Sequence, residues 1–512
     1  MSLNIPLPLF IALPLAVAFL LPLFGTKTRG FASFIAVLTT AALLVFSIFS
    51  FGRFEVYCVG RWTIPLGINL VLDGISALML LTISIVSFAA ILFSNRYMEQ
   101  YTAKSKYLSL FLLMVTGMNG VVLSGDIFNL FVFLEIASIA SYALVGFGCQ
   151  HEELEAAFKY MVLGSVASMF VLFAVGVVYG NTGSLNMAVI SKHVAENGLN
   201  TGLAFALALF IAGFGLKAAL VPFHAWLPDA HPSAPAPISA MLSGVLIKAL
   251  GIYSLSRIIF NVLGVSVPIS WVLITLGLLS MVIGALLAIG QWDFKRLLAY
   301  SSISQIGYVM FGIGLAALIL SKKGNPVWAS LAMLGGLFHL MNHAVFKSLL
   351  FLTSGSIEMS TGTRQLKELG GLAEKLPITR SACTIASASI AGIPPFNGFW
   401  SKLILVIAAV QAGFYTLAAV TVFVSIVTLI MFLKVQRYVF LGELPENLKS
   451  VVEHRGLMAF AMIFLAVLCV LMGALVIYEP FRVVVLDNAV NALLDGLAYA
   501  GKVLNAQILN GQ

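Results

Sequence analysis

The segment LKAALVPFHAWLPDAHPSAPAP, residues 216–237, interrupts a long apolar run with a lysine, a Pro-Phe pair and a tryptophan. A second segment, AGIPPFNGFWSK at residues 391–402, repeats the order of Pro-Phe, a short polar step and tryptophan, again beside a lysine. Proline removes a backbone donor and clashes with the preceding helical turn. The two segments therefore predict two broken helices, one at Pro222 and one at Pro394 and Pro395.

The composition around these segments is that of a membrane protein. The chain has 512 residues, of which 61% are hydrophobic and 9% are charged, whereas soluble proteins carry about 25% charged residues. Apolar runs of roughly 20 residues, long enough to span a bilayer, recur from end to end. The net charge of +8 does not indicate nucleic-acid binding, because no basic cluster is interleaved with aromatic residues. Hydropathy thus predicts an all-α polytopic membrane protein.

About fourteen transmembrane helices are expected. Broken backbone in a membrane is tolerated only where protein or a wet cavity surrounds it, and matching breaks indicate internal repeats with the working site at the breaks. We predict two five-helix repeats, residues 108–264 and 265–440, and the second must be inverted because five is odd. Residues 1–107 then hold helices 1 to 3, and residues 441–512 hold helix 14 and a tail. The predicted spans are 4–24, 30–50, 69–93, 108–124, 127–149, 156–180, 202–227, 237–262, 268–290, 297–320, 328–352, 378–411, 415–440 and 457–478.

Loop charge predicts the orientation. Loops after odd-numbered helices hold sixteen Lys and Arg residues, Lys27 and Arg29 among them, and the opposite side holds eight. Positively charged loops stay in the cytoplasm, so both termini are expected outside. The N-terminal sequence MSLNIPLPLF lacks the basic region and the small-residue cleavage site of a signal peptide, so we expect it to begin the first span.

The cysteines do not indicate a cofactor. Cys58, Cys149, Cys383 and Cys469 are scattered, without a CxxC pair or a metal-ligand spacing. A disulfide framework, an iron–sulfur cluster and a haem attachment are therefore not expected, and the sequence contains no nucleotide-binding glycine motif. We expect no metal, no cofactor and no redox site in this chain, so any electron chemistry would belong to other subunits.

Four lysines and one glutamate lie deep inside apolar stretches: Glu135, Lys217, Lys248, Lys347 and Lys402. A charge near the bilayer centre costs roughly 2.5–3.5 kcal/mol. Burial disfavours the charged form of both residue types, and a close ion pair favours it. We therefore predict a proton pathway in which Glu135 pairs with Lys217, beside the first break, and Lys248 receives the proton. The alternatives are a static salt bridge at Glu135 and a Lys248 that caps the carbonyls of a neighbouring helix.

His339, His343 and Lys347 recur every four residues in GGLFHLMNHAVFKSLLFL. This spacing places them on one helix face over about 12 Å, and histidine can give and accept a proton near neutral pH. We predict that this stripe relays protons to Lys402, the expected terminal site after the second break. Alternatively, the histidines are ordinary hydrogen-bonding residues and Lys347 snorkels to the cytoplasmic surface. Weaker candidates are Ser301, Ser302 and Gln305 for ordered water or interhelical contacts, and Asp73, Asp126 and Asp229 for helix capping.

These motifs resemble the antiporter-like membrane subunits of respiratory complex I, of Mrp-type sodium/proton antiporters and of membrane-bound hydrogenases. The resemblance covers nearly the whole chain and rests on Glu135, Lys217 before VPFHAWLPDAHPSAPAP, Lys248, HLMNHAVFKSLLFL and GIPPFNGFWSK. It implies fourteen helices, two inverted five-helix repeats and proton transfer along a central polar axis. The axis residues that it implies are Glu135, Lys217, Lys248, His339, His343 and Lys402.

The resemblance also implies a function: a proton-translocating subunit of a redox-driven complex similar to membrane-bound hydrogenase or NADH dehydrogenase. We expect it in the cell membrane, among other membrane subunits and iron–sulfur redox subunits. The alternative is the D-type subunit of a stand-alone Mrp sodium/proton antiporter, because the lysine at position 402 also resembles that branch. Whether sodium is transported is left open. Outside the family, the alternatives are a self-sufficient secondary transporter and a structural membrane anchor.

Overall fold

The computed structural model describes residues 5–23 and 29–510, and helices make up most of it. Residue 4 at the start of predicted helix 1, Lys27 in the first predicted loop and the side chain of Arg29 lie outside the described residues. The first half contains α1 (Leu9–Leu20), α2 (Arg29–Ile48), β1 (Glu55–Cys58), β2 (Asn69–Leu72), α3 (Gly74–Tyr97), α4 (Lys104–Leu123), α5 (Ile127–Val145), α6 (His151–Thr182), α7 (Met187–Asn197), α8 (Thr201–Lys217), α9 (Leu227–Ser233), α10 (Ala236–Met241) and α11 (Ser254–Arg257). The second half contains α12 (Val267–Ile289), α13 (Phe294–Ser321), α14 (Pro326–Thr361), α15 (Pro377–Ala391), α16 (Asn397–Gln411), α17 (Tyr415–Val439), α18 (Leu457–Leu475), α19 (Glu479–Phe481), α20 (Asn488–Leu494) and α21 (Tyr499–Asn510).

The helices have the length and composition of membrane spans. In the described part of the chain, 11 helices are long and apolar enough to cross a membrane. Shorter apolar helices at Leu9–Leu23, Thr201–Lys217 and Asn397–Gln411 coincide with predicted helices 1, 7 and 12. The helical, multi-pass architecture predicted from hydropathy is therefore confirmed. The count of fourteen and the inverted repeats with their boundaries remain predictions.

The first predicted break is present. α8 ends at Lys217 and the next helical turn begins at Leu227, so helix 7 is shorter than predicted. Pro222 lies in the segment between them, and the preceding Val221 N–H donates to Ser280 Oγ at 2.9 Å instead of to a helix carbonyl. Helix 7 was predicted too long, because the chain leaves the helical conformation several residues before Pro222.

The second predicted break is also present. α15 ends and α16 begins on either side of Pro394 and Pro395, so the single long span predicted here is two short helices. The start of α16 lies very close to the end of α15, because a Cβ on Gly398 would be 1.8 Å from the Ser389 carbonyl oxygen. The broken ends are thus packed against protein, as a break inside a membrane requires.

The helix that carries Lys248 is widened by π-helical turns, which the sequence did not predict. The helix is continuous over Ala236–Leu263. Its π-helical segments are Leu242–Leu246, Lys248–Tyr253 and Ile258–Leu263. Such turns are rare and are frequently found at functional sites. Gly251 packs against the first break, since its Cβ would lie 2.5 Å from the Ala218 Cβ. The first break and the Lys248 helix are therefore in direct contact.

Two further features were not predicted. β1 and β2 form an antiparallel hairpin in which Glu55 is opposite Leu72 and Cys58 is opposite Asn69, so the chain is not entirely helical. The C-terminal arm, residues 479–506, bends by 99° between Glu479–Leu494 and Gly496–Ala506. Its helices pack against α3, α7 and β1. The tail whose role the sequence left open is thus docked on the helix bundle.

Candidate functional site

The predicted ion pair lies where α5 faces the end of α8. The Lys217 Nζ is 3.7 Å from the Glu135 Oε1, with side-chain exposures of 3% and 28%. The Ser168 hydroxyl of α6 donates to the same carboxylate oxygen. Glu135 therefore sits at the edge of the helix bundle with two partners, and Lys217 lies inside it.

Lys217 also has partners that do not depend on Glu135. Its Nζ donates to Ser138 Oγ at 2.9 Å and to Tyr142 OH at 3.2 Å, both shorter than the distance to the carboxylate. Ser138 and Tyr142 follow Glu135 by three and seven residues, so all three lie on one face of α5. Helical spacing from Glu135 identifies both hydroxyls, although the prediction omitted them. The ammonium can therefore separate from Glu135 and keep two acceptors.

Lys248 is fully buried at the start of the second π-helical segment of its helix. Its Nζ donates to the carbonyl oxygens of Ser243 and Gly244, each at 2.6 Å. These carbonyls belong to the helix that carries Lys248. The alternative in which Lys248 caps the carbonyls of a neighbouring helix is therefore wrong. Within residues 5–23 and 29–510, these two carbonyls are the hydrogen-bond partners of its Nζ, and it forms no ion pair. Lys248 is thus a buried amine held by backbone dipoles.

The predicted stripe on α14 is fully buried at His339, His343 and Lys347. The Lys347 Nζ donates to the Ser301 Oγ of α13. The alternative in which Lys347 snorkels to the surface is therefore wrong, because its side chain turns into the bundle. All three side chains of the stripe can therefore be contacted only by groups inside the protein.

The two histidines of the stripe differ in their partners. The His339 Nε2 is 3.1 Å from Gln305 Oε1 and its Nδ1 is 2.9 Å from Ser401 Oγ. Each ring nitrogen of His339 therefore has a side-chain partner, Gln305 on α13 for Nε2 and Ser401 on α16 for Nδ1. Neither ring nitrogen of His343 has a hydrogen-bond partner among the described residues. Buried polar groups are hydrogen-bonded to protein or to water, so we expect bound water at His343.

Lys402 lies at the second break, near the start of α16. Its Nζ donates to the Ile390 carbonyl at 2.7 Å and to Ser425 Oγ at 3.1 Å. The same Nζ lies 5.0 Å from the centre of the Tyr308 ring. The acceptor carbonyl comes from the last turn of α15, where the break leaves carbonyls without helical partners. Lys402 is therefore bound to the break itself, as Lys217 adjoins the first one.

α13 connects the central groups. Ser243, on the Lys248 helix, and Ser302 of α13 are 2.7 Å apart through their hydroxyl oxygens. A Cβ on Gly244, whose carbonyl accepts from Lys248, would lie 2.2 Å from the Ser348 Oγ of α14. The serines that the sequence assigned to ordered water or to interhelical contacts thus make direct interhelical hydrogen bonds beside the lysines. The structure brings Lys248 and the α14 stripe into one buried cluster.

The predicted capping residues have different roles. Asp126 caps α5 through the N–H groups of residues 128 and 129, and Asp73 caps α3 through the N–H of residue 76. Asp229 instead pairs with Lys159 at 3.2 Å and with Arg296 at 3.1 Å on a solvent-exposed surface. In the part of the chain that the structure describes, no group of three or more His, Cys, Asp or Glu side chains could hold a metal ion.

Two family models match the chain. Residues 124–428 match the model described as "NADH:quinone oxidoreductase/Mrp antiporter, TM". Residues 60–108 match the model described as "NADH-Ubiquinone oxidoreductase (complex I), chain 5 N-terminus". The first match includes every predicted pathway residue from Glu135 to Lys402.

Relatives and solved structures agree with these models. The chain is 36% identical to the N subunit of NADH-quinone oxidoreductase from Desulforudis audaxviator, over 86% of each chain. It is 34% identical to the D subunit of the Na(+)/H(+) antiporter from Alkalihalophilus pseudofirmus, over 87% of each. A chain of the Mrp complex from Dietzia sp. superimposes with a TM-score of 0.87 at 31% identity, covering 98% of this chain and 100% of that one. A chain of the membrane-bound sulfane sulfur reductase, an archaeal respiratory membrane complex, gives 0.84 at 33% identity, covering 97% and 99%.

Proposed function

The chain belongs to the family of NADH:quinone oxidoreductase and Mrp antiporter membrane subunits, and we propose that it moves protons along the axis between its two broken helices. It is an antiporter-like subunit of a multi-subunit, ion-pumping membrane complex. The proposed route runs through Glu135, Lys217, Lys248, the His339, His343 and Lys347 stripe, and Lys402. The observation that carries this proposal is the position of Lys248, a fully buried lysine whose Nζ, among the described residues, has only backbone carbonyls as hydrogen-bond partners.

The proposed driving step is a change of partner at Lys217. When Glu135 moves away or is neutralised, the Lys217 ammonium loses its counterion but keeps the Ser138 and Tyr142 hydroxyls. It then repels Lys248 more strongly, because an unscreened positive charge raises the energy of a second one nearby. The contact between Ala218 and Gly251 also couples the break mechanically to the Lys248 helix.

The energies involved are compatible with pumping. Moving one charge against 100 mV requires about 2.3 kcal/mol. Breaking a fully buried ion pair costs about 3–5 kcal/mol. The Glu135 side chain remains 28% exposed, so its pair with Lys217 is worth less than that range. One change of partner therefore supplies energy of the same order as one proton step.

The proposed setting is a complex in the plasma membrane, with both termini outside. The solved relatives are chains of membrane complexes, which supports other membrane subunits as partners. We propose iron–sulfur redox subunits as the source of the driving reaction, because the relatives include an NADH-quinone oxidoreductase subunit and a respiratory complex. The redox chemistry would lie entirely in those subunits, with no cofactor in this chain.

A second candidate is the D-type subunit of a stand-alone sodium/proton antiporter. The similarity to the D subunit of the Na(+)/H(+) antiporter and to the Mrp complex favours it. A mass-spectrometric inventory of the proteins that co-purify in mild detergent separates the two candidates. Iron–sulfur subunits would identify a redox-driven pump, and small membrane subunits alone would identify the antiporter. Purification without partners would contradict both.

The Glu135→Gln variant tests whether the ion pair serves transport or assembly. We expect driven proton transport to be lost and the amount of assembled complex to be unchanged, because glutamine keeps the shape and a hydrogen bond from Ser168 but cannot hold or release a charge. The measurements are proton uptake by proteoliposomes and the yield of complex on native gels. Glu446→Gln, at a side chain 87% exposed, is the matched control. Reduced assembly with normal transport per complex would support the anchor hypothesis instead.

A further inference from the structure

A second buried ion pair lies away from the proposed axis. Arg257 donates to both carboxylate oxygens of Asp73, at 2.7 and 2.8 Å. The side chains are 2% and 5% exposed. Replacing a buried ion pair by apolar residues is often neutral or even stabilising. Stability alone therefore does not account for a bidentate pair at this position.

The Arg257 guanidinium is fixed by several further contacts. It lies 3.1 Å from Asn261 Oδ1, and its Nη2 donates to Ser76 Oγ and to Tyr253 OH, each at 3.3 Å. It also packs over the rings of Tyr253 and Tyr499, with distances to the ring centres of 5.5 and 5.2 Å. A planar guanidinium with five donors suits such a site. Its position is thus set by partners on every side.

One side of the pair faces a cavity at the surface. Asp73 lines this cavity, of ≈ 300 Å³, together with Asn491, Asp495, Tyr499 and Lys502 of the C-terminal arm. The Lys502 side chain is 53% exposed and that of Asp495 is 29% exposed, so the cavity reaches solvent. In the orientation that loop charge predicts, this end of the molecule lies outside the cell. Asp73 is therefore within reach of protons from the outer solution.

Lys248 lies nine residues before Arg257 on the same continuous helix, and its Nζ is directed to the carbonyls of residues 243 and 244, away from Arg257. In an α-helix, residues five apart differ in direction by about 140°. Lys248–Tyr253 is π-helical, and π-helical hydrogen bonds join residues five apart, which brings Tyr253 round towards the face of Lys248. Tyr253 and Arg257 are then one α-helical turn apart. Lys248, Tyr253 and Arg257 therefore follow one another towards the outer end.

We propose that Arg257 is a proton seal that separates Lys248 from the outer cavity. This inference rests on the proposed function, because a seal is needed only if Lys248 carries a proton. Tyr253, Ser76 and Asp73 each have a group that could pass a proton on. The guanidinium stays protonated in proteins and cannot accept another proton. Its fixed positive charge also repels cations, as an arginine does in water-selective pores.

The test is a passive leak through the complete complex in proteoliposomes. A pH gradient is imposed without the driving reaction, and its decay is followed with a pH-sensitive dye for each variant, per assembled complex. With Arg257→His, we expect the pH gradient to decay about tenfold faster, because histidine can relay a proton. A tenfold faster leak corresponds to a barrier lowered by about 1.36 kcal/mol. Arg257→Lys keeps the charge, so we expect the pH gradient in this variant to decay no faster than in the wild type. The matched control is Arg364→His. Arg364 pairs with Asp293, and their side chains are already partly exposed, at 28% and 13% respectively.

Two further variants decide the outcome. If Arg257→His lowers the amount of complex, the neutral double variant Asp73→Asn with Arg257→Gln replaces it, and the same leak is expected. Adding Lys248→Leu to the leaking variant should restore tightness. The proposal that Arg257 is a proton seal would be overturned if the Arg257→His complex leaked no faster than the wild type. It would also be overturned if the leak persisted after Lys248→Leu was added. Wild-type driven transport in Lys248→Leu alone would instead overturn the proposed pathway, so the two failures are distinguishable.

Discussion

Replacing Lys217 with alanine should abolish driven proton transport and leave assembly intact. Lys217 is the only group in the described part of the chain that meets the Glu135 carboxylate as an ion pair, so its loss removes the step by which a change at Glu135 reaches the other lysines. Assembly should survive, because Glu135 keeps its bond from Ser168 and remains 28% exposed. Proton uptake by proteoliposomes that hold the complete complex measures the first effect, and native gels measure the second.

The control for this variant is Lys192→Ala. Lys192 lies on α7, has a side chain 60% exposed and is 3.9 Å from Glu196. An exposed pair of this kind contributes little to stability, so both transport and assembly should match the wild type. Wild-type transport rates in Lys217→Ala would contradict the pathway from its first step.

Replacing Lys248 with leucine should also abolish transport, but without loss of stability. A charge at the centre of a bilayer costs roughly 2.5–3.5 kcal/mol, and Lys248 has backbone carbonyls and no ion pair among the described residues. Leucine is shorter than lysine but carries no charge that must be buried, so the thermal midpoint of the complex in detergent should be unchanged or higher. A residue whose removal stabilises the protein and stops its activity is retained for function. Proton uptake and the thermal midpoint are measured on the same preparation.

Lys434→Leu is the matched control for Lys248→Leu. The Lys434 Nζ also donates to two backbone carbonyls, those of Ile289 at 2.9 Å and Gln291 at 2.6 Å, but it packs over the Trp292 ring at the edge of the bundle. Its loss should lower the thermal midpoint and leave transport per complex unchanged. A Lys248→Leu complex that is destabilised yet transports normally would identify Lys248 as a structural residue.

The sequence predicted the features that local chemistry determines. Both breaks were correct because proline in a helix interior removes a backbone donor and clashes with the preceding turn, and each break includes the predicted prolines. The pair of Glu135 and Lys217 was correct because two opposite charges buried in apolar helices favour each other over any other partner. The spacing of His339 and His343 placed them on one face because the helical period is fixed.

Other features depend on tertiary packing and could not be predicted in this way. No residue type prescribes the π-helical turns at Lys248, so its carbonyl partners on its own helix were missed. Asp73 and Arg257 are 184 residues apart, and nothing local to either one indicates the other. Lys347 was given a snorkelling alternative because its span was predicted to end soon after it, whereas α14 continues to Thr361.

The rival functions make different demands on the same side chains. A self-sufficient secondary transporter would need its broken helices to bind a solute, yet the lysine at each break is bound to the chain's own hydroxyls and carbonyls. A structural anchor would need ion pairs, yet in the part of the chain that the structure describes Lys248 has only backbone partners. The arrangement fits a relay better, because each cation has uncharged acceptors within reach.

The most direct test of one continuous proton path is the driven proton uptake of the Lys217→Ala and Lys248→Leu double variant. Groups that act in series are non-additive, since the first lost step already stops the flow. We expect the double variant to retain no less uptake than either single variant, with all three at the level of liposomes without complex. Single variants that each keep part of the uptake, with a double variant that loses the sum, would show two independent routes and contradict the account.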